Sequence, residues 1–485
     1  MRCGGSVVNE QMAASRRAFV GGVAASALLL PRSRLFAAQP STGSARHFSS
    51  NGERNWLQKA DIEFLPLDQR IYTPIRIDPI RTLQTIEGFG GAFNEKGWEV
   101  MLSVPASVRE RVMDDLFSPG QGLNFTIGRT PIGASDYAMD AYSYSEAPGD
   151  YTQKHFSTAR DKQYLLPYLK SALARQPKLH LFASPWTPPS WMKANNRYDC
   201  HLEPANGHLI FDQKTQQAYA LYFEKYVRDY ATRGVPISAI HFQNEVTGCQ
   251  IFPSSVWTGE QSRDFLKNYL IPQFKRVGLP QEMWMSTIND TTHDRYAEIV
   301  LSDPELAKNI AGIGYQWDGQ HAIAETRARY PNLRIWQTES ECGDGANDRK
   351  AGFYTFSLIR KYFNGGANAY VYWNMVLEPK GQSTWGWQQN SLITVDRRTK
   401  AAIYNFEYYV FKHMSALVQP GAKLLDIDRA DDALAFKNPD GQIVVVLANT
   451  SWMDKEFTVV IGSKILRVKT NSWSLNSLVL PSEAA

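Results

Sequence analysis

Between residues 86 and 374 the chain repeats one pattern: a short apolar run of six to eight residues, then a longer stretch of mixed polarity. Eight such runs occur, at 86–91, 124–129, 178–184, 237–244, 283–289, 312–317, 333–338 and 369–374. Short apolar runs bounded by turn residues read as buried strands. The intervals hold helix candidates, 107–116, 216–232, 262–277 and 348–363, the first two with apolar residues at three- and four-residue steps. Eight strand–helix repeats over about 290 residues fit a (β/α)8 TIM barrel, an α/β fold whose usual length is about 250 residues with insertions allowed. The alternative, an open doubly wound sheet, would carry a glycine-rich phosphate loop after its first strand. Here Gly88-Phe89-Gly90-Gly91-Ala92-Phe93 lacks both the G-x-G-x-x-G spacing and a helix directly after it.

The flanks have a different texture. Beyond residue 414 come short β-rich runs at 424–427, 433–437, 443–449, 457–461, 465–468 and 477–480, with Pro439-Asp440-Gly441 as a tight-turn signal between two of them. Residues 71–77 alternate apolar and polar in the same way. These observations predict a barrel over 85–414 and an accessory antiparallel β-sandwich over 415–485, to which 61–84 adds strands from the other end of the chain. Residues 39–60, rich in Ser, Gly, Asn and Arg, read as a flexible lead-in. Residues 1–38 read as a twin-arginine signal: Ser15-Arg16-Arg17-Ala18-Phe19-Val20 opens an apolar run to Leu30 that is shorter than the roughly 20 residues needed to span a bilayer. The expectation is export to the periplasm or the medium, with cleavage near Ala38 and no membrane segment in the mature chain. Cys3 leaves with that signal, so Cys200, Cys249 and Cys342 form an odd set with at least one free thiol, and Cys200 and Cys249 are free to pair after export.

Lys and Arg total 52 against 48 Asp and Glu, a net charge of +4 spread without clusters, which argues against a nucleic-acid partner. Nine scattered histidines, with no H-E-x-x-H and no C-x-x-C, predict neither a metal nor another cofactor. Aromatic residues make up 12% of the chain, and flat rings suit the apolar faces of sugars. Barrel chemistry sits at the C-terminal ends of strands. Two carboxylates stand there, Glu245 after the fourth run and Glu339 at the end of the seventh. Facing each other across the mouth, two carboxyls can approach to about 5 Å, the spacing of a retaining glycosidase, in which one attacks the anomeric carbon while the other protonates the leaving oxygen. Asn244 and Thr338 precede them as neutral hydrogen-bonding neighbours, and Glu341 is a rival nucleophile.

Three further segments, together with Asn244-Glu245, Thr338-Glu339 and Tyr372-Trp373-Asn374, carry a family resemblance. They are Glu87-Gly88-Phe89-Gly90-Gly91-Ala92-Phe93, Arg129-Thr130-Pro131-Ile132-Gly133-Ala134-Ser135-Asp136-Tyr137, and Ala183-Ser184-Pro185-Trp186-Thr187-Pro188-Pro189-Ser190-Trp191-Met192-Lys193. In this order they resemble glycoside hydrolase family 30, which includes glucosylceramidases and related bacterial β-glycosidases. The resemblance implies a barrel with a sandwich built from both chain ends, Glu245 as acid/base and Glu339 as nucleophile. It also implies that Asp136, Trp186, Asn244 and Trp373 line the sugar pocket, with Arg129 as the supporting cation that keeps Glu339 ionised. Trp317, Asp318, Trp385 and Trp387 are candidates for an aglycone or second-sugar subsite. Two departures stand out. Val246 replaces a proline that commonly follows the acid/base, loosening a turn, and Asp318 replaces a tyrosine that contacts the nucleophile, placing a third carboxylate near Glu339. The expected activity is hydrolysis of β-glucosides, short β-glucans or glucosylceramide-like lipids. β-1,6-Glucanase, β-xylosidase and β-fucosidase are alternatives within the family. A noncatalytic carbohydrate-binding protein is the alternative outside it. A barrel oxidoreductase would need a phosphate-gripping loop or metal ligands.

Overall fold

The computed structural model describes residues 43–67, 71–428 and 432–484; the expected export segment over 1–38 lies outside them. All eight apolar runs become parallel strands of one closed barrel: Gly88–Ala92, Ile127–Pro131, His180–Ser184, Ala239–His241, Glu282–Ile288, Gly312–Gln316, Arg334–Glu339 and Ala369–Asn374. The barrel interior is filled, with Ile127, Phe182, Trp284, Trp336 and Val371 packed in one buried cluster. Its N-terminal end is closed by Arg334, which pairs with Glu87 and Glu282 at 2.7 Å each and lies over the indoles of Trp284 and Trp336. Open chemistry is thereby confined to the other end.

The helix candidates form as Ala106–Phe117, Gln213–Thr232 and Arg349–Gly365, while the one expected over 262–277 is interrupted. It runs as Gly259–Phe265, a wider π-helical turn Leu266–Leu270, and Ile271–Arg276. Pro272 accounts for the widening: it lacks an N–H, and its ring would meet the carbonyl four residues back in a regular helix.

The second layer is a ten-stranded sheet ordered Leu57–Glu63, Ser44–Ser50, Ser474–Leu480, Ile443–Asn449, Ala433–Lys437, Lys423–Ile427, Ile75–Thr85, Lys455–Ile461, Lys464–Thr470 and Leu65–Pro66. Both chain ends build it. Two expectations are corrected here. Residues 44–50 are no flexible lead-in but a mostly buried strand, lying between Leu57–Glu63 and Ser474–Leu480. Two of its polar side chains find distant partners: His47 Nε2 meets Asn476 Oδ1 at 3.0 Å, and Ser50 Oγ meets His413 Nε2 at 2.9 Å. Nor is the sheet wholly antiparallel, because Ile75–Ile77 runs parallel to Val459–Ile461.

Successive side chains of a strand point to opposite faces, and Ile443–Asn449 uses both. Ile443, Val445 and Leu447 enter the sandwich core, while Val444, Val446 and Ala448 enter the large cluster that contains the barrel helices. Each buried valine or leucine contributes roughly 1.5–3 kcal/mol, so this strand fastens the sandwich to the barrel. Phe436 adds an edge-on contact to Phe363 at 5.9 Å.

Candidate active site

Strand ends deliver the site. Arg129, on the second strand, is fully buried and reaches across the barrel mouth. Its Nη1 donates to Glu339 Oε2 at 2.5 Å and to the Thr338 carbonyl at 3.3 Å, and its Nη2 donates to Asn244 Oδ1 at 2.5 Å. The guanidinium lies over the rings of Trp186 (4.6 Å) and Trp373 (5.3 Å), which themselves pack 5.2 Å apart. One cation therefore aligns the third, fourth, seventh and eighth strand ends.

A second connector is Gln316, the last residue of the sixth strand. Its Oε1 accepts from Thr338 Oγ1 at 3.1 Å and Arg129 Nη1 at 3.5 Å. Those donors fix the amide's orientation, so its Nε2 is the group that faces Asn244 Oδ1 at 3.1 Å and Glu245 Oε1 at 3.0 Å. Trp317, the next residue, donates Nε1–H to Glu339 Oε1 at 3.1 Å. Both oxygens of Glu339 are thus held, one by Arg129 and one by Trp317.

Two of these residues leave their strands in the left-handed region, Glu245 at φ 45° and Trp317 at φ 49°. Non-glycine residues there cost of order 1 kcal/mol each and cluster at functional sites. For Glu245 the strain is held by Gly248, whose N–H donates to the Glu245 carbonyl at 2.7 Å. A Cβ at position 248 would lie 3.1 Å from Glu245 Oε2, so a larger residue there would press on the carboxyl by a few tenths of an ångström.

The carboxylates share a cavity of about 450 Å³ with Asp136, Trp186, Asn244, Trp317 and Trp387 in its lining. Burial, then the charge of Glu339, pushes Glu245 up to about 8, against the opposing pull of Gln316 and Arg129. Burial also raises Glu339, while Arg129 and Trp317 hold it down. Asp136 is displaced well upward by burial and by the charges of both glutamates, and its Oδ1 has no protein hydrogen-bond partner. A buried acceptor turned to a cavity in this way suits a polar ligand group.

Of the residues singled out from sequence, Asp136, Trp186, Asn244, Glu245, Trp317, Glu339 and Trp387 meet at this cavity, with Arg129 and Trp373 packed beneath it. Asp318 does not: it is exposed, in the turn Trp317–Ala322, while the indole N–H of Trp317 before it reaches Glu339. No third carboxylate crowds Glu339 from that position. Trp385 lines a neighbouring cavity rather than this one. Glu341, beyond the strand end, turns away from the cavity toward Tyr354. In the turn after Glu245, Val246 is buried, Gly248 closes the turn and Thr247 Oγ1 ties it to Asn289 Oδ1 at 2.8 Å. Sequence reasoning missed Gln316, Asn289, Gln250 and Phe252. Gln316 ends a barrel strand, so the rule that found the glutamates also points to it.

Cys200 and Cys249 are joined in a disulfide, and Cys342 is free and buried.

Residues 86–418 match the glycosyl hydrolase family 30 TIM-barrel domain and residues 426–484 match the family 30 beta sandwich domain. The chain belongs to glycoside hydrolase family 30. It is a glycoside hydrolase, and family 30 relatives align along most of its length. Lysosomal acid glucosylceramidase of Mus musculus is 27% identical over 413 residues, covering 79% of this chain and 79% of that protein. Endo-1,6-beta-D-glucanase neg1 of Aspergillus fumigatus is 27% identical over 425 residues, covering 82% and 86%. The crystal structure of SrfJ from Salmonella typhimurium superposes with a TM-score of 0.83 at 24% identity, covering 90% of this chain and 99% of that one. The last likeness concerns the fold.

Proposed function

We propose that this family 30 chain hydrolyses β-glucosidic bonds by double displacement, with Glu339 as nucleophile and Glu245 as acid/base. The observation that carries the reading is the asymmetric support of the two carboxylates. Glu339 receives a guanidinium and an indole N–H, which favour its charged form, whereas Glu245 is buried beside that charge with only an amide donor and so favours its protonated form. Gln316 occupies Glu245 Oε1, leaving Oε2 to carry the proton to the leaving oxygen.

In the first step Glu339 attacks the anomeric carbon as the bond to the leaving oxygen breaks, and that oxygen takes the Glu245 proton. The ester so formed removes the negative charge from Glu339, and Glu245 becomes a stronger acid and is left ionised. It then accepts a proton from the water that attacks the anomeric carbon, which regenerates both groups with retained configuration. Asp136 supplies an acceptor for sugar hydroxyls, Asn244 supplies its Nδ2 donor because its Oδ1 already accepts from Arg129, Gln316 and Thr287, and Trp186 supplies a flat apolar wall. The same reading includes export by the twin-arginine route to the periplasm or the medium, supported by Arg16-Arg17 and the apolar run after them.

The test compares aryl β-glucoside, β-xyloside, β-fucoside and β-galactoside hydrolysis by wild type, Glu339→Ala and Glu245→Ala, with proton NMR of the first-formed anomer. The expected result is a β-anomer first, no turnover in Glu339→Ala, and a loss in Glu245→Ala that is large for poor leaving groups and small for good ones. Equal loss across leaving groups would remove Glu245 from the acid/base role. Preference for a sugar other than glucose would redirect the substrate.

A further inference from the structure

Beside the catalytic cavity lies a second one of about 260 Å³, and Ile251 and Phe252 form a wall common to both. Its remaining surface comes chiefly from Arg197, Tyr198, Asp199 and Trp385. Phe252 packs against both indoles, 4.9 Å from Trp387 and 6.5 Å from Trp385, and the two indoles stack 6.5 Å apart, so the three rings form one aromatic cluster at the join of the cavities. We propose that this second cavity binds a further sugar unit of a β-linked oligosaccharide, on the leaving-group side of the bond that is cut.

The cavity is built from two segments, 197–199 and 251–253, that the fold cross-links repeatedly. The Cys200–Cys249 disulfide joins them. Asp199 and Pro253 form an antiparallel bridge, and the Ser254 N–H donates to the Tyr198 carbonyl at 3.1 Å. Buried Lys193 donates from Nζ to the carbonyls of Tyr198, Asp199 and Ser254 at 3.1, 2.9 and 2.6 Å. A surface groove with no task needs no such bracing, whereas a site that must hold a rigid ring at a fixed distance from Glu245 does.

The side follows from connectivity. Ile251 and Phe252 belong to the loop that starts at Glu245, the residue that must face the leaving oxygen. The occupant follows from the lining. Arg197 and Asp199 form a two-pronged ion pair, Nε to Oδ1 at 2.6 Å and Nη2 to Oδ2 at 2.7 Å, which keeps the Asp199 carboxyl ionised, below its ordinary value. An alkyl chain laid there would strip water from charged groups and return no hydrogen bonds. A pyranose would return them through its hydroxyls while its apolar face rests on Trp385. The substrate class is then an oligosaccharide rather than a glycolipid, an inference that rests on the proposed β-glucosidase activity.

The test measures kcat/KM on 4-nitrophenyl β-glucoside, on β-1,3-, β-1,4- and β-1,6-linked glucose di-, tri- and tetrasaccharides, and on glucosylceramide in detergent micelles. For wild type the expected result is at least a tenfold rise from disaccharide to trisaccharide in one linkage series, with glucose as the first product. In Trp385→Ala and in the more exposed Arg197→Ala, the ratio of trisaccharide to aryl glucoside kcat/KM falls at least tenfold, and a Cys200→Ala/Cys249→Ala double variant gives the same signature. Aryl glucoside turnover without chain-length gain, an unchanged ratio in both single variants, a disaccharide as first product, or glucosylceramide turnover that depends on Arg197 each overturns the proposal. Absence of wild-type turnover on every β-glucoside refutes the parent reading and this one together.

Discussion

Replacing Glu339 by Gln is expected to lower the pKa of Glu245 from about 8 toward the ordinary glutamate range, and the size of that change tests the proposed mechanism. Burial is the larger reason Glu245 stands high and the charge of Glu339 the next; the variant keeps the volume and removes the charge. Two carboxyls at the retaining separation of about 5.5 Å repel by about 3 kcal/mol at an effective dielectric constant of about 20, or about two pH units. Arg129, freed of its ion pair, acts on Glu245 in the same downward direction. In the catalytic cycle the same charge disappears when Glu339 becomes an ester, so the variant is a stable stand-in for the intermediate. The assay is a carbon-13 titration of carboxyl-labelled glutamate in wild type, Glu339→Gln and Glu245→Gln, the last to assign the resonance, with the wild-type pair fitted as coupled sites. For wild type, kcat/KM on poor leaving groups is expected to fall as pH rises through about 8, because the proton donor is lost there. A Glu245 shift below half a unit, or upward, would refute the reasoning, since burial alone would then set its acidity and no proton could be released by ester formation.

Trp317→Phe keeps a ring but removes the donor 3.1 Å from Glu339 Oε1; hydrogen bonds to charged groups contribute about 1.5–3 kcal/mol, so kcat/KM is expected to fall roughly 10- to 100-fold with an unchanged circular dichroism spectrum. Arg129→Met removes a cation that holds Glu339 down, so the acidic limb of kcat/KM, which requires ionised Glu339, is expected to move to higher pH while activity falls. Glu245→Gln is expected to stabilise the fold at pH 9 by up to about 5 kcal/mol, the cost of ionising a carboxyl whose pKa stands at about 8 against its ordinary 4.5. The ionised form that burial disfavours is fully present above about 8, so the gain fades as pH falls through that value and vanishes near the ordinary glutamate range; urea melts at pH 9 and pH 5 check it.

The barrel was legible because its strands are buried on both faces and each announces itself locally as an apolar run between turns. The strand Ser44–Ser50 was not, for a physical reason. Its sequence, Ser-Ala-Arg-His-Phe-Ser-Ser, carries the composition of a linker, and what buries it is a set of partners hundreds of positions away: Asn476 for His47 and His413 for Ser50. Most buried polar groups are paired, and these two pairings reach across almost the whole chain. No local pattern reveals that pairing, because the partners are themselves unremarkable Asn and His residues. The parallel run of Ile75–Ile77 beside Val459–Ile461 is hidden in the same way, since alternation specifies a strand's faces and not its direction.

At the site, the residues that ionise were readable and the residues that govern their ionisation were less so. Glu245 and Glu339 stand out because a carboxylate at a buried strand end demands an explanation, whereas the amide of Gln316 demands none until its two faces are seen to be sorted by Thr338 and Arg129 on one side and by Asn244 and Glu245 on the other. Trp317 and Asp318 show the same limit from the other direction. Matching residue to residue assigns the lost tyrosine contact to Asp318 and predicts a disturbed nucleophile. In three dimensions the left-handed turn at Trp317 swings its indole N–H onto Glu339 and leaves Asp318 in solvent. The strain at Trp317 is then part of how Glu339 is held ionised, and relaxing it would cost the nucleophile one of the two groups that support its charge.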